Sequence, residues 1–356
     1  MFARRLEAVR QRIIESRLQG FLVTSLPNIR YLTGFTGSNA ALLILPGRCL
    51  FFTDSRYRIQ ASVEVEGARI IVASGSLAEA ISGKLSHKVT ERIGFEAGSL
   101  TVSAFTKLKR IARETKFVAM DGIIEQFRIR KDEIEISKIR RAAEITDRVF
   151  NKILAILKPG IRELEVAADI TYWHKRFGAE SDAFDPIVAS GLRGALPHAG
   201  ASAKKVSRGE MVTIDIGCRV DGYHCDLTRT IAVGKPSAEM KKIYRIVLDA
   251  QQRSLDEARP DIQVKSLDTV ARSTIHERGY GKFFCHSLGH GLGLEVHELP
   301  RVSSKSKDVL KKGSVITIEP GIYIPQVGGV RIEDDIIIRE YDNEVLSTAT
   351  KELMIV

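Results

Sequence analysis

The opening residues, MFARRLEAVRQRIIESRLQG, alternate charge with Leu, Val and Ile at helical spacing and predict an amphipathic helix ending at Gln19. Apolar runs of strand length follow at FLVTS, ALLILPG, CLFFTD, RIIVAS, RIGFEA and KFVAMDG, with helical stretches at RYRIQASVEV, SLAEAISGKL and SLTVSAFTKLKRIA set among them. Alternation of this kind over the first 125 or so residues implies a layered α/β domain. After IIEQFRIRK the style changes. A long helix is expected from Asp132 to Leu157 and another over RELEVAADITYWHKRFG, and strands dominate from AFDPIVASG to about Val233. Two more helices, SAEMKKIYRIVLDAQQRSLDEARP and QVKSLDTVARSTIHERGYG, precede strand-like segments that run to the C-terminus. The order helix, helix, antiparallel strands thus occurs twice. No strong repeat of residues accompanies it, so internal pseudo-symmetry is expected from element order alone.

Bulk properties narrow the class. At 356 residues the chain suits two domains of ordinary size, expected at 1–127 and 128–356. A composition of 44% hydrophobic and 28% charged residues fits a globular protein. No apolar run approaches the roughly 20 residues that span a bilayer, and the N-terminus lacks the apolar centre of a signal peptide. A cytoplasmic protein with no membrane association is therefore expected. The net charge of +10 raises the question of nucleic acid. Basic residues are interleaved with acidic ones, as in KDEIEISKIRRAAEITDR, and the basic clusters RIRK, SAKKVSR and KKGS are short. This is the pattern of solvated helix faces, and no nucleic-acid partner is expected. Cys49, Cys218, Cys225 and Cys285 form no CxxC pair, which argues for reduced, buried thiols.

The candidate chemistry begins at MVTIDIGCRVDGYHCDLTRT, where Val212, Ile214 and Ile216 alternate with Thr213, Asp215 and Gly217 before the turn pair Asp221-Gly222. A turn there pairs Val220 with Tyr223, Gly217 with Asp226 and Asp215 with Thr228. Asp215 and Asp226 then share one face as diagonal neighbours, about 7 Å apart at Cβ. Two carboxylates against an apolar sheet repel unless a cation neutralises them. VITIEPGIY and GVRIEDDIIIRE each place a glutamate, Glu319 and Glu333, in a strand-like run. Their even separation puts both on one face only with an odd loop or a bulge. In HSLGHGLGLEVHE the glycines exclude an HExxH zinc helix, so His290 is not a helical ligand. His297 has the wrong strand parity to join it unless a bulge intervenes, and takes a second role around the site. Two Asp, one His and two Glu make an oxygen-rich set suited to two divalent cations.

At these residues the chain resembles the pita-bread metallopeptidases, and within them the Xaa-Pro peptidases, prolidases and aminopeptidases P. The resemblance runs through ALPHAG at His198, DIGCRVDGYHCDLTRT, GHGLGLEVHE, EPGIY and VRIEDD, and so covers most of the second domain. NIRYLTGFTGS and TDSRY are similar to the creatinase-type N-terminal domain. The resemblance implies an α+β fold: a C-terminal pita-bread domain with pseudo-twofold symmetry, preceded by an α/β creatinase-type domain. It implies that Asp215 chelates one metal, that His290 and Glu319 bind the other, and that Asp226 and Glu333 bridge both. Manganese or cobalt is expected ahead of zinc or iron. The substrate implied is a peptide with proline at its second position, and the assembly implied is a homodimer.

As a mechanism, Glu319 is expected to carry the proton from the attacking water to the leaving nitrogen. His198 and His297 stabilise the tetrahedral oxyanion and contact the substrate. Arg301 and Arg331 are candidates for the substrate carboxylate, Arg331 alternatively for support of Glu333. Phe184 is expected to wall the proline pocket. The rival readings are an aminopeptidase P acting on longer peptides and a non-catalytic binding protein that kept the fold.

Overall fold

The computed structural model describes residues 1–85 and 92–356. The chain divides into two compact units, Met1–Arg128 and Ile129–Val356.

The first unit is built on a six-stranded sheet in the order Arg69–Val72, Arg48–Thr53, Ala40–Leu45, Gly20–Val23, Arg92–Glu96, Lys116–Met120. The three strands from Gly20 to Thr53 form an antiparallel meander, and the strands added outside it run parallel to their neighbours. Phe21, Leu22, Val23 and Leu42 to Ile44 are all buried, which is why these strands read as unbroken apolar runs. Leu22, Leu43, Phe52 and Ile93 pack in one cluster with Ile81 and Leu108, from helices Leu77–Ser82 and Val102–Ile111. Helix Phe2–Glu15 buries Leu6, Val9 and Ile13, one helical stripe. A further helix, Leu26–Thr33, is not foreseen by the apolar pattern. It buries Asn28 and Thr33 along with Ile29, Tyr31 and Leu32, so it has no polar stripe to reveal its period. Asn28 is tolerated there because its amide donates to Glu96 Oε1 (2.6 Å) and Glu125 Oε1 (2.7 Å) and its oxygen accepts from Arg128 Nη1 (2.8 Å).

In the second unit the helix, helix, sheet order occurs twice. Helices Glu133–Ile156 and Glu163–Arg176 precede a sheet ordered Leu227–Ala232, Met211–Ile216, Ile187–Ser190. The long helix starts at a reciprocal cap, in which Asp132 Oδ1 accepts from Glu135 N while Glu135 Oε2 accepts from Asp132 N. Helices Ala238–Glu257 and Val264–Glu277 precede the second sheet, ordered Glu298–Val302, Gly289–Gly291, Val315–Ile318, Asp334–Ile338, Asn343–Val345. Ile316, Ile318, Ile336 and Ile338 pack with Ile243, Val247, Leu267 and Ala271 of that helix pair. Strand parity then sends Thr317, Glu319, Glu333 and Asp335 to the opposite face. In the first sheet Thr213 and Asp215 lie opposite Thr230 and Thr228, giving another face with polar residues. Three cysteines are buried as expected, but Cys285 is exposed, because it follows the short turn Gly281–Phe283 and lies outside both sheets.

Candidate metal centre

The two polar faces meet along a seam between strand Leu227–Ala232 and the segment 328–338. Thr228 Oγ1 donates to Glu333 Oε2 (2.6 Å), Glu333 N donates to Thr228 O (3.1 Å), and Arg331 N donates to Thr230 Oγ1 (3.1 Å). Arg229 and Asp334, both fully buried, pair across the same seam at 2.7 Å.

Each candidate ligand reaches the seam by an identifiable route. The first hairpin pairs Asp215 with Thr228 and Val220 with Tyr223, so Asp226 falls opposite Gly217. Gly217 permits this crossing, since a Cβ there would lie 2.1 Å from Cys225 O. Glu319 and Glu333 stand at the junction between two ladders of the same register, Ile318 opposite Asp334 and Gly321 opposite Arg331. The distal hairpin closes between Ile324 and Gly328 through three residues, with Gln326 at φ +66, and this odd loop sets the two glutamates across from each other. His290 lies beside Thr317, whose Oγ1 accepts its N–H at 3.1 Å. The register between Gly289–Gly291 and Glu298–Val302 shifts after His290, and with it His297 comes within 4.1 Å of His290, ring centre to ring centre. Gly291 belongs to that bulge: a Cβ would sit 2.1 Å from Leu299 O.

Asp226, His290 and Glu333 each offer an atom within 4.8 Å of the others. His290 Nε2 is 3.5 Å from Glu319 Oε1 and 3.8 Å from Asp226 Oδ2. With Nδ1–H donating to Gly291 O (3.1 Å), His290 turns the lone pair of Nε2 toward these carboxylates. Asp215 enters through Arg331, whose Nη2 donates to its Oδ2 at 2.6 Å.

The electrostatics call for a cation. Burial, then repulsion by Glu333 and Asp215, pushes Asp226 far above the usual carboxylate range. Burial, then Glu333, does the same to Glu319, and burial, then Asp215, raises Glu333 to about 8. Burial, then His297, lowers His290 to about 4, which keeps it neutral as a ligand must be. Asp215 Oδ1 and Asp226 Oδ1 are buried without a hydrogen-bond partner. Buried oxygens without donors, carboxylates that repel, and one neutral imidazole together fit divalent cations.

Around this group Phe184 is half-buried against Gly217, and His198, His297 and Arg301 are exposed. Arg301 lies directly opposite His290, with Nε donating to Ser287 Oγ (3.2 Å). Arg331 is buried and committed to protein acceptors: Thr228 Oγ1 (3.0 Å), Tyr323 Oη (2.9 Å), Pro197 O (3.2 Å) and Asp215. Sequence reasoning did not single out His286, Tyr323 or Asp335. His286 Nε2 lies 2.9 Å from Tyr323 Oη, and burial lowers its pKa to about 4, so Tyr323 is the donor. His286 opens the same histidine-rich stretch as His290, which was the available signal. Asp335 Oδ2 accepts from Asp226 N at 2.8 Å.

A model of metallopeptidase family M24 matches residues 137–340, and one of the Creatinase/Prolidase N-terminal domain matches residues 5–130. The chain is 40% identical over 345 residues to the Xaa-Pro dipeptidase of Pyrococcus horikoshii, covering 96% of this chain and 95% of that one. Among solved structures, the Xaa-Pro dipeptidase from Bacillus anthracis matches with a TM-score of 0.97 at 40% identity over 100% of both chains. The X-Pro aminopeptidase from Thermotoga maritima matches with a TM-score of 0.89 at 39% identity over 99% of each.

Proposed function

We infer the function from one premise: the chain belongs to metallopeptidase family M24, with the pita-bread domain preceded by a creatinase-type N-terminal domain. It is a prolidase-like peptidase that hydrolyses the bond before proline in dipeptides, the activity named for the P. horikoshii and B. anthracis relatives. The observation that carries this reading is the approach of Asp226, His290 and Glu333 to within 4.8 Å of one another at the seam, with Glu319 beside them. An intact donor set of this kind argues against a non-catalytic relative.

In the proposed site Asp215, Asp226, His290, Glu319 and Glu333 would hold the divalent ions. When bound, such ions would polarise the scissile carbonyl and lower the pKa of a bound solvent molecule. Thr317 Oγ1 donates to Glu319 Oε1 (3.3 Å), which leaves Oε2 to take the proton of the attacking water and return it to the proline nitrogen. His297 and His198 donate to the developing oxyanion and the substrate backbone. The exposed Arg301, across from His290, takes the substrate carboxylate by paired hydrogen bonds. Of the two roles expected for Arg331, support of a ligand is favoured, here on Asp215, because its guanidinium is buried and engaged within the protein. Phe184, against Gly217, lines the pocket for the proline ring, where a tertiary amide brings no N–H to satisfy.

The family resemblance supports manganese or cobalt as the ion and a cytoplasmic homodimer as the assembly; metal analysis and light scattering check ion and assembly. Among the described residues no helix is long and apolar enough to cross a membrane. The function is tested with Mn2+-loaded protein on Ala-Pro, Ala-Ala and Ala-Pro-Ala. Cleavage of Ala-Pro far above the other two is expected. Equal cleavage of Ala-Ala removes the proline preference, and cleavage of the tripeptide alone moves the protein to the aminopeptidases.

A further inference from the structure

Asp335 is 2% exposed, with Cys225, Glu333 and Asp334 among its neighbours. A carboxylate buried in such company does not serve stability. Its one hydrogen bond goes to the main chain of a proposed metal ligand, Asp226 N to Oδ2 at 2.8 Å. The ladder explains why that N–H is available. Cys225 N donates to Cys218 O (3.1 Å), so Asp226, next along the strand, turns its N–H away from its own hairpin and toward the second sheet. The other half of the unit contains the same device. Arg331 lies opposite Gly321 as Asp226 lies opposite Gly217, and Arg331 N is held from across the seam by Thr230 Oγ1 at 3.1 Å. In both halves a side-chain acceptor from the opposite sheet fixes the peptide at this junction. In one half that peptide carries the carboxylate that both ions would share.

We propose that Asp335 is a positioning residue for the metal centre, which fixes the main chain of Asp226 and so aims its carboxylate between the two ions. The proposal rests on the peptidase reading and is tested apart from hydrolysis. Apo-protein is titrated with Mn2+ alone by calorimetry, and its thermal unfolding is recorded. Asp335→Leu removes the acceptor and is expected to weaken Mn2+ binding about 10–100-fold, the usual consequence of losing a partner behind a ligand. Asp335→Asn and Asp335→Thr keep an acceptor, the latter copying Thr230, and are expected to stay within about threefold of wild type. The metal-free melting temperature of the Asn and Thr variants is expected near that of wild type, and that of the Leu variant only modestly lower, since it leaves the Asp226 N–H without an acceptor. Wild-type Mn2+ affinity in Asp335→Leu overturns the proposal, as do Asn and Thr variants as weak as Leu. Failure of the wild-type protein to bind Mn2+, Co2+, Zn2+ or Fe2+ overturns the peptidase reading itself.

Discussion

The two halves of the second unit share a backbone plan and fill it with different residues. VTIDIG at 212–217 and ITIEPG at 316–321 occupy the same strand and the same turn into a distal hairpin, with Asp215 matched to Glu319 and Gly217 to Gly321. On the returning strands, Asp226 corresponds to Arg331, Thr228 to Glu333 and Arg229 to Asp334. Ala189, opposite Thr213, stands where His290 stands beside Thr317. Matched positions meet at the seam: Thr228 with Glu333, and Arg229 with Asp334. Had both halves carried the same residues, like would face like there, and two carboxylates or two guanidinium groups would be buried together. The duplicated frame therefore brings the residues together, while their divergence separates roles: the first half contributes two aspartates, the second two glutamates and the imidazole.

The sharpest way to break this comparison is Glu319→Gln, expected to lower kcat on Ala-Pro by about 10²–10⁴-fold with little change in KM. A loss of only a few-fold would mean that Glu319 is not the proton carrier. Next is the seam. Arg331→Met leaves Asp215 buried beside other carboxylates, and denaturant unfolding of the metal-free protein should show a loss of ~3–5 kcal/mol. Arg229→Met should reduce Mn2+ affinity less than Arg331→Met does, because Arg229 pairs with Asp334, which is not a proposed ligand and keeps Lys351 Nζ 3.2 Å from its Oδ2. Equal losses of affinity would contradict the distinction between a ligand-holding and a framework ion pair.

The third prediction uses pH. Glu333 shifts from 4.5 to about 8 on folding without metal, so the folded chain binds the extra proton between these values. Its contribution is present below pH 4.5 and is lost as pH rises toward 8. Melting of the metal-free protein should fall over the part of this window above about 6.5, the unfolded histidine value, where His286 and His290 no longer change their proton count on folding. Mn2+ should flatten the slope, and Glu333→Gln should reduce it in part, since Asp226 and Glu319 are raised as well; an unchanged slope in that variant assigns the titration elsewhere. The smallest effect is Gly291→Ala, whose Cβ would meet Leu299 O, at ~1–3 kcal/mol of strain in thermal melts. Unchanged stability would show that the bulge beside His290 tolerates a side chain.

Much of this frame was legible in the sequence. The Asp221-Gly222 turn fixes the first hairpin, and from it follows the shared face of Asp215 and Asp226. The glutamate pair was not fixed in the same way. Its register depends on a three-residue loop, and nothing in PQV states whether the odd residue is looped out or paired. His297 depends on a bulge for the same reason. The repeat VTIDIG and ITIEPG was present but short, and the matched residues beyond it differ in charge, so similarity vanishes where the function lies. Helix Leu26–Thr33 was hidden because it buries Asn28 and Thr33 along with its apolar residues, which leaves no polar stripe to show its period. Asp335 reads as one more acid in IEDD; only the fold shows that Asp334 turns to Arg229 while Asp335 turns to Asp226.

The central claim, that both halves deliver ligands to one pair of divalent ions, is tested most directly by anomalous diffraction at the manganese edge from crystals grown with Mn2+. Two peaks are predicted at the seam, both within bonding distance of Asp226 and Glu333, with Asp215 on one and His290 and Glu319 on the other. Ordered, ligand-free side chains at the seam, or manganese bound only elsewhere, would contradict the claim.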